Sequence, residues 1–267
     1  MKKQSPKIDL KRRPLSYSSL KQFAKSPQHY VHYLTQPREP SDAMLLGSLV
    51  DCLVFEKDKF KKRYAVLPNF KKTTKAGRES VEKFREVNKG KEVISRDLLA
   101  KALKIERALM ANTDARYWLD QLTEVQHEIK FWDNPTKLQL RGFLDGLADD
   151  FILDLKTTTD ASPETFTRQA YNMNYHLQAA IYQRGVAAET GKWLDYYFVV
   201  VETKEPFGVA VYRADEDFIE LGKKELRLLL DEFRFCFNND LWNQSYDFRT
   251  AATYTPLELP GYAKMKL

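Results

Sequence analysis

The residues best suited to chemistry in this chain are Asp145 and, nine positions on, the triplet Asp154-Leu155-Lys156. Side chains alternate along a strand, so Asp154 and Lys156 share one face and Leu155 takes the other. If Asp149 and Asp150 are the central residues of a tight turn, the hairpin register sets Asp145 directly opposite Asp154. Opposed residues have Cβ atoms roughly 4.5–5.5 Å apart, and two like charges at that separation are destabilising unless a positive charge lies between them. A divalent cation with hard oxygen ligands fits that position, and Lys156 is placed to face it. The alternative on these residues alone is an exposed hairpin whose Asp and Lys form a surface ion pair. A longer turn would spoil the opposition. Ile152, Leu153 and Leu155 read as a strand buried on both faces, where charges need partners. Glu128 and Asp51 either add a third and a fourth carboxylate or are ordinary surface acids.

Several elements must position these groups. Ser16 or Ser18 offers an N-cap to a helix running to about Leu34, which Pro37 and Pro40 end. The run from Met44 to Glu56 places Leu45, Leu49, Cys52 and Leu53 on one helical face, so Asp51 is the single acid of a buried helix. Residues 57–91 read as an exposed, partly helical insertion, and helix returns over about Arg96 to Ala111. The period then changes. Three short strands are expected over Val125 to Trp132, Lys137 to Leu147 and Phe151 to Lys156. Ser162 caps a helix with Pro163 at its first position, and helical pattern continues, broken near Asn172-Met173-Asn174, to about Thr190. Strands over Leu194 to Glu202 and Phe207 to Arg213 precede an amphipathic helix from Glu216 to Asn238. That order defines an α/β (α+β) fold with a central mixed sheet flanked by helices and an N-terminal helical region.

Composition narrows the function. The 267 residues allow one large or two small domains, and 43% apolar with 13% aromatic residues excludes a disordered chain. No run approaches the roughly 18–20 apolar residues that cross a bilayer, so the chain reads as cytoplasmic, with no membrane partner. Cys52 and Cys236 are too few for a four-cysteine zinc site or an iron-sulfur cluster. Charge is polarised: residues 1–91 hold 22 Lys and Arg against 9 Asp and Glu, and residues 92–267 hold 21 against 28. A basic part beside an acidic part suits a chain that grips a polyanion and concentrates carboxylates for a metal, although solvated Lys-rich faces are common. The domain reading is a basic arm over 1–15, a helical region over 16–122 with its basic insertion at 57–91, a core over 123–240 and a tail over 241–267.

The ordered string of motifs resembles the PD-(D/E)XK nucleases, and within them the RecB-like branch that holds RecE-type phage and prophage exonucleases. The likeness runs through Ser16-x-Ser18-x-Leu20-x-x-Phe23, Leu46-Gly47-Ser48-Leu49-Val50-Asp51, Gly142-Phe143-Leu144-Asp145-Gly146 and Ile152-Leu153-Asp154-Leu155-Lys156-Thr157-Thr158. It ends in Tyr175-His176-x-Gln178-x-x-x-Tyr182. The resemblance implies a restriction-endonuclease-like core, with Asp145 and Asp154 as metal ligands, Lys156 as the catalytic lysine, and Gln178 and Tyr182 as the helix-borne pair of the branch. One departure is plain: the branch usually carries a metal-binding His where this chain has Asp51. Read by themselves, Gln178 and Tyr182 are four apart on one helix face with Tyr175 a turn earlier, a face that either meets the scissile phosphate or packs half-buried on the sheet.

The expected activity is hydrolysis of DNA phosphodiesters with Mg²⁺ or Mn²⁺ held by Asp145, Asp154, the Leu155 carbonyl and Asp51 or Glu128. Lys71, Lys72, Lys75, Arg78, Arg141 and Tyr175 are the expected DNA contacts. Resemblance to RecE-type enzymes further implies 5′→3′ digestion of linear duplex ends, 3′ overhangs passed to a RecT-type annealing protein in phage-type recombination, and a ring-shaped homo-oligomer. Two rivals stand beside it: a structure- or sequence-specific endonuclease of the same fold, and a non-catalytic DNA-binding recombination accessory.

Overall fold

Residues 13–36, 39–71, 73–246, 249 and 257 are described by the computed structural model. Most of the basic arm, Lys72 and nearly all of the tail beyond residue 246 lie outside them. Five strands form the main sheet in the order β3-β4-β5-β6-β7: β3 (Glu124–Asp133), β4 (Leu138–Leu147), β5 (Phe151–Thr158), β6 (Asp195–Glu202) and β7 (Val209–Arg213). The β4–β5 and β6–β7 pairs are antiparallel, whereas β5 and β6 run parallel. A parallel neighbour needs a crossover, and α8 (Pro163–Asn172) with α9 (Tyr175–Thr190) supplies it. The sheet is therefore mixed and flanked by helices, a restriction-endonuclease-like arrangement.

The chain divides into two compact units. The larger holds Arg38–Phe131 and Arg141–Lys223, and with them the chemically suggestive residues. On one sheet face Leu46, Leu49, Val50 and Leu53 of α3 (Asp42–Phe55) join Ile105 and Leu109 of α6 (Arg96–Ala111) against Phe151, Leu153, Val199 and Val201. Ser41 starts α3 by accepting the Met44 N–H at 3.3 Å. On the other face lies α9, which buries Leu177, Ala179, Ala180, Ile181 and Val186 together with the polar His176, Gln178 and Gln183. Its Gly185 lets the helix seat directly on Ile129 of β3, where any Cβ would collide. The smaller unit, Met1–Pro37, Trp132–Leu140 and Lys224–Leu267, has an aromatic core. In it Phe23 of α1 (Tyr17–Phe23) and Tyr30 of α2 (Pro27–Thr35) each pack at 5.0 Å on Phe233 of α10 (Glu216–Asn238).

Most expected elements appear within a residue or two, and the departures have local causes. The helix expected to run unbroken to Leu34 is two, because Ser26 caps a second start by accepting the His29 N–H and Pro27 takes its first position. The basic insertion is more ordered than its composition suggested. After a 3-10 turn at Lys57–Lys59 and α4 (Phe60–Arg63) it carries β1 (Tyr64–Val66), which pairs in parallel with β2 (Glu92–Ile94) across α5 (Lys75–Val87). A further helix, α7 (Thr113–Leu119), starts at Asn112, whose side chain accepts the Ala115 N–H. The last strand begins at Val209 rather than at Phe207, which has a left-handed φ of 59°. Ser162 holds the N-cap position of α8 without a side-chain cap bond; Asp160 takes that role by accepting the Ser162 N–H and the Thr165 hydroxyl.

Gly222, early in α10, touches α9 so closely that a Cβ would strike the His176 carbonyl oxygen. Overpacking against rigid backbone costs about 1–3 kcal/mol. Gly222→Ala is therefore expected to lower the melting temperature by several degrees, read by circular dichroism; an unchanged melt would show that α9 and α10 separate freely.

Candidate active site

The turn at Asp149-Asp150 is as tight as the sequence requires, with the Ala148 N–H donating to the Phe151 carbonyl at 2.9 Å. The ladder then sets Leu147 opposite Ile152 and Gly146 opposite Leu153. One step further the backbone pairing gives way to a side chain: Asp145 Oδ2 accepts the Leu155 N–H at 2.8 Å. This brings the Asp145 carboxylate to the main chain between Asp154 and Lys156, so the three charged groups meet where β4 leaves β5.

Asp154 is 1% exposed. Its Oδ1 accepts from Gln178 Nε2 at 2.8 Å, and its Oδ2 forms an ion pair with Lys156 Nζ. The Oδ2 atom has no hydrogen bond of good geometry, although the Lys156 ammonium lies against it, so the ion pair is the physical contact there. The Tyr196 hydroxyl, buried on β6, lies beside the same carboxylate, likewise without a well-formed hydrogen bond. Lys156 lies under the Tyr175 ring, 4.7 Å from its centroid, a cation-π contact that helps fix the ammonium.

Asp51 joins this group from α3. Gln126 Nε2 donates to both of its carboxylate oxygens at 3.1 Å. Gln126 has a left-handed φ of 52°, a local break in β3. Burial pushes the Asp51 carboxyl up to about 6; Arg63 opposes that rise, while Glu56 and Asp154 add to it. Burial also raises the Asp145 carboxyl well above the ordinary carboxylate range, with Asp154 and Asp51 reinforcing it. Burial alone would discharge Lys156, but the neighbouring Asp154 and Asp145 outweigh it and hold the amine charged. Three acids crowded around one lysine repel one another, and that repulsion adds to burial in making Asp51 and Asp145 hold their protons more tightly.

Asp145 and Asp154, with the Leu155 carbonyl between Asp154 and Lys156 in the chain, are a hard-oxygen donor set that fits a divalent cation. Among the described residues, however, no three His, Cys, Asp or Glu side chains stand together at metal-holding geometry. The three carboxylates are instead oriented by the protein's own groups: Gln126 donates to both oxygens of Asp51 and Leu155 to one of Asp145, while Gln178 and Lys156 meet those of Asp154.

The other sequence candidates are placed as follows. Glu128 is exposed on β3, and the β3 side chain that reaches Asp51 is Gln126, two positions earlier. Gln178 and Tyr182 are buried rather than presented to substrate; Gln178 acts on Asp154, and the Tyr182 ring covers Gly142, where a Cβ would lie 2.5 Å from it. Burial, then Asp154 and Asp145, raise the Tyr182 hydroxyl above its ordinary value, so it stays protonated. Tyr175 contacts Lys156. Arg141 is exposed on β4, and Lys71, Lys75 and Arg78 are exposed at the head of α5, where Arg78 donates to the Thr73 carbonyl. Gln126, Arg63 and Tyr196 were not singled out by the sequence, since nothing in their local spacing marks them.

The mixed sheet and its flanking helices have the arrangement of a PDDEXK-like domain. A family model for a PDDEXK-like domain of unknown function (DUF3799) matches residues 16–246, and the chain belongs to that family. No curated protein matches the chain. Among solved structures, a "putative exonuclease" from Eubacterium rectale is similar over 92% of this chain and 91% of its own, at 14% identity and a TM-score of 0.60. That likeness shows the shared fold. SSO0001, at 15% identity over 79% of this chain and 85% of its own, reaches a TM-score of only 0.28 and carries no argument.

The acids carry a stability consequence. A carboxyl whose folded value is raised above its unfolded value binds protons more tightly when folded, so stability falls as pH rises through the interval between the two. For Asp51 that interval runs from the ordinary 3.8 to about 6, and the Asp145 carboxyl is raised in the same direction. In chelator the protein is expected to melt at a lower temperature at pH 7 than at pH 5. Asp145→Asn, whose amide oxygen still accepts the Leu155 N–H, should raise the pH 7 melt and flatten the difference. A melt lowered by that substitution would contradict the repulsion.

Proposed function

We propose that this protein is a metal-dependent deoxyribonuclease that hydrolyses phosphodiester bonds of linear double-stranded DNA. The observation that carries this reading is the convergence of Asp145, Asp154 and a charged Lys156 where β4 leaves β5, with Asp145 anchored to the Leu155 N–H. Asp145, Asp154 and the Leu155 carbonyl would hold Mg²⁺ or Mn²⁺, whose chemistry is to polarise the phosphoryl oxygen and lower the pKa of water. Asp51 would join them from α3, oriented by Gln126.

The chain's own groups account for the remaining work. Gln178 fixes the rotamer of Asp154 from behind, which keeps one carboxylate oxygen turned toward Lys156. The Lys156 ammonium, kept charged by its two acids and steadied by Tyr175, faces the negative charge that builds on a pentacovalent phosphate. The exposed cations at the head of α5 supply contacts to backbone phosphates. Likeness to the RecB-like branch and to the Eubacterium rectale protein supports exonuclease action in particular. We extend the reading to 5′→3′ polarity, 3′ overhangs delivered to a RecT-type annealing partner in cytoplasmic recombination, and a ring-shaped homo-oligomer, all as RecE-type features.

The test is release of acid-soluble nucleotides from end-labelled linear duplex in Mg²⁺, with closed circular DNA beside it. Linear DNA should be digested and the circle spared, with no release in EDTA. Lys156→Ala and Asp154→Ala should each cost at least about a hundredfold in rate. Cutting of the circle would favour an endonuclease, and full activity of Lys156→Ala would remove the lysine from the chemistry. Replacing Lys71, Lys75 and Arg78 together by Gln should make log K against log salt shallower by roughly 0.9 for every phosphate that these cations neutralise; an unchanged slope would exclude them from the interface.

A further inference from the structure

Within the larger unit a cleft of about 670 Å³ opens between α3, α4 and the β1–β2 pair, a size suited to a small molecule. Its wall is divided by chemistry: Pro40 and Leu45 are apolar, Lys59, Lys62 and Arg63 are cationic, and Glu92 is a carboxylate. The short helix arranges this, because Phe60 packs 5.6 Å from the Tyr64 ring while its basic neighbours are left at the surface. Two of the cations are fixed from beneath. Glu56, only 9% exposed, accepts from Lys59 Nζ through Oε1 at 2.5 Å and from Arg63 Nη1 through Oε2 at 2.7 Å. The Arg63 guanidinium also lies 5.7 Å from the Tyr64 ring centroid. Glu56 engages only one of its nitrogens, so its other N–H groups can serve a ligand. Lys62 is exposed, with no ion-pair or hydrogen-bond partner among the described residues. Three cations against one buried carboxylate leave an excess of two positive charges at the cleft.

We propose that this cleft binds a free nucleoside monophosphate. A phosphate monoester carries about −1.5 to −2 at pH 7, which matches the excess charge of the wall, whereas each diester of a DNA backbone carries a single charge. Arginine presents a planar fork to phosphate oxygens, and a fork already anchored by Glu56 loses little freedom on binding. Glu92, the ladder partner of Tyr64, is exposed and would repel a bare phosphate. It can instead accept from a hydroxyl or an exocyclic amine, so the ligand must carry hydrogen-bond donors as well as the anion. Pro40 and Leu45 give its ring system an apolar wall. The choice of a nucleotide among phosphate esters rests on the nuclease reading, since such an enzyme releases nucleoside monophosphates at its own surface; the cleft and its charge do not depend on that reading.

Calorimetric titration of the full chain with deoxyadenosine monophosphate, in EDTA and without DNA, reads the cleft apart from any cleavage. Saturable binding is expected, about tenfold tighter than that of deoxyadenosine or of inorganic phosphate. Lys62→Glu should weaken the nucleotide about tenfold with an unchanged melt, because Lys62 is exposed and holds no other group. Glu92→Ala should remove the preference for the nucleotide over inorganic phosphate. A short oligonucleotide with hydroxyls at both ends, which offers only diesters, should leave nucleotide binding unchanged. The proposal is overturned by an absence of nucleotide binding, by equal binding of deoxyadenosine or inorganic phosphate, or by full affinity in Lys62→Glu. Displacement of the nucleotide by the oligonucleotide would also overturn it and assign the cleft to the DNA backbone. If the wild-type chain digests DNA and binds no nucleotide, the cleft fails alone. If it binds the nucleotide, loses it with Lys62→Glu and cuts no DNA, the nuclease reading fails and the cleft stands.

Discussion

The structure turns on electrostatic crowding: carboxylates brought to one end of a sheet, two of them against a single lysine. Charges inside a protein are costly unless each finds a partner. Here the partners are drawn from separate elements. Leu155 offers a main-chain N–H, α9 offers Gln178, and β3 offers Gln126. The crowding dictates much of the surrounding architecture, since β4 must swing its Asp145 side chain into the ladder's next position and α9 must lie close enough to hold Asp154 by a 2.8 Å bond. The closeness of α9 in turn requires glycine at 142 and 185.

On the proposed function, this arrangement separates support from chemistry. The residues behind the sheet, Gln178, Tyr182 and Tyr196, are buried and set the orientation and charge of the acids. Those at the open end, Asp145, Lys156 and Tyr175, remain partly accessible. A buried layer that fixes rotamers beneath a more accessible layer is what precise positioning of a reacting phosphate demands. On the proposed function, the helix-borne Gln and Tyr serve the first role, although their polar face would also have suited direct contact with substrate.

Much of this was legible in the sequence wherever the determinants are local. The turn at Asp149-Asp150 fixes the register, strand alternation fixes which acids share a side, and Gly-free apolar runs mark β5 and β6. The break after Ala24 has a readable signal in Ser26-Pro27, masked because the apolar period continues across it. Other features depend on contacts between distant segments. The parallel pair β1 and β2 consists of three-residue strands joined only across α5, too short to show a period. The hold of Gln126 on Asp51 needs a left-handed residue inside a strand and a partner 75 positions away, and glutamine advertises neither.

That hold gives Asp51 the character of a latch. Its two oxygens both accept from one amide, so on the proposed function a cation would meet a carboxylate whose orientation Gln126 has already set. A histidine offers one nitrogen acceptor and could not be grasped symmetrically in this way. On the proposed function, aspartate at position 51 would be a reserve ligand whose resting posture is set by the geometry of a neighbouring strand.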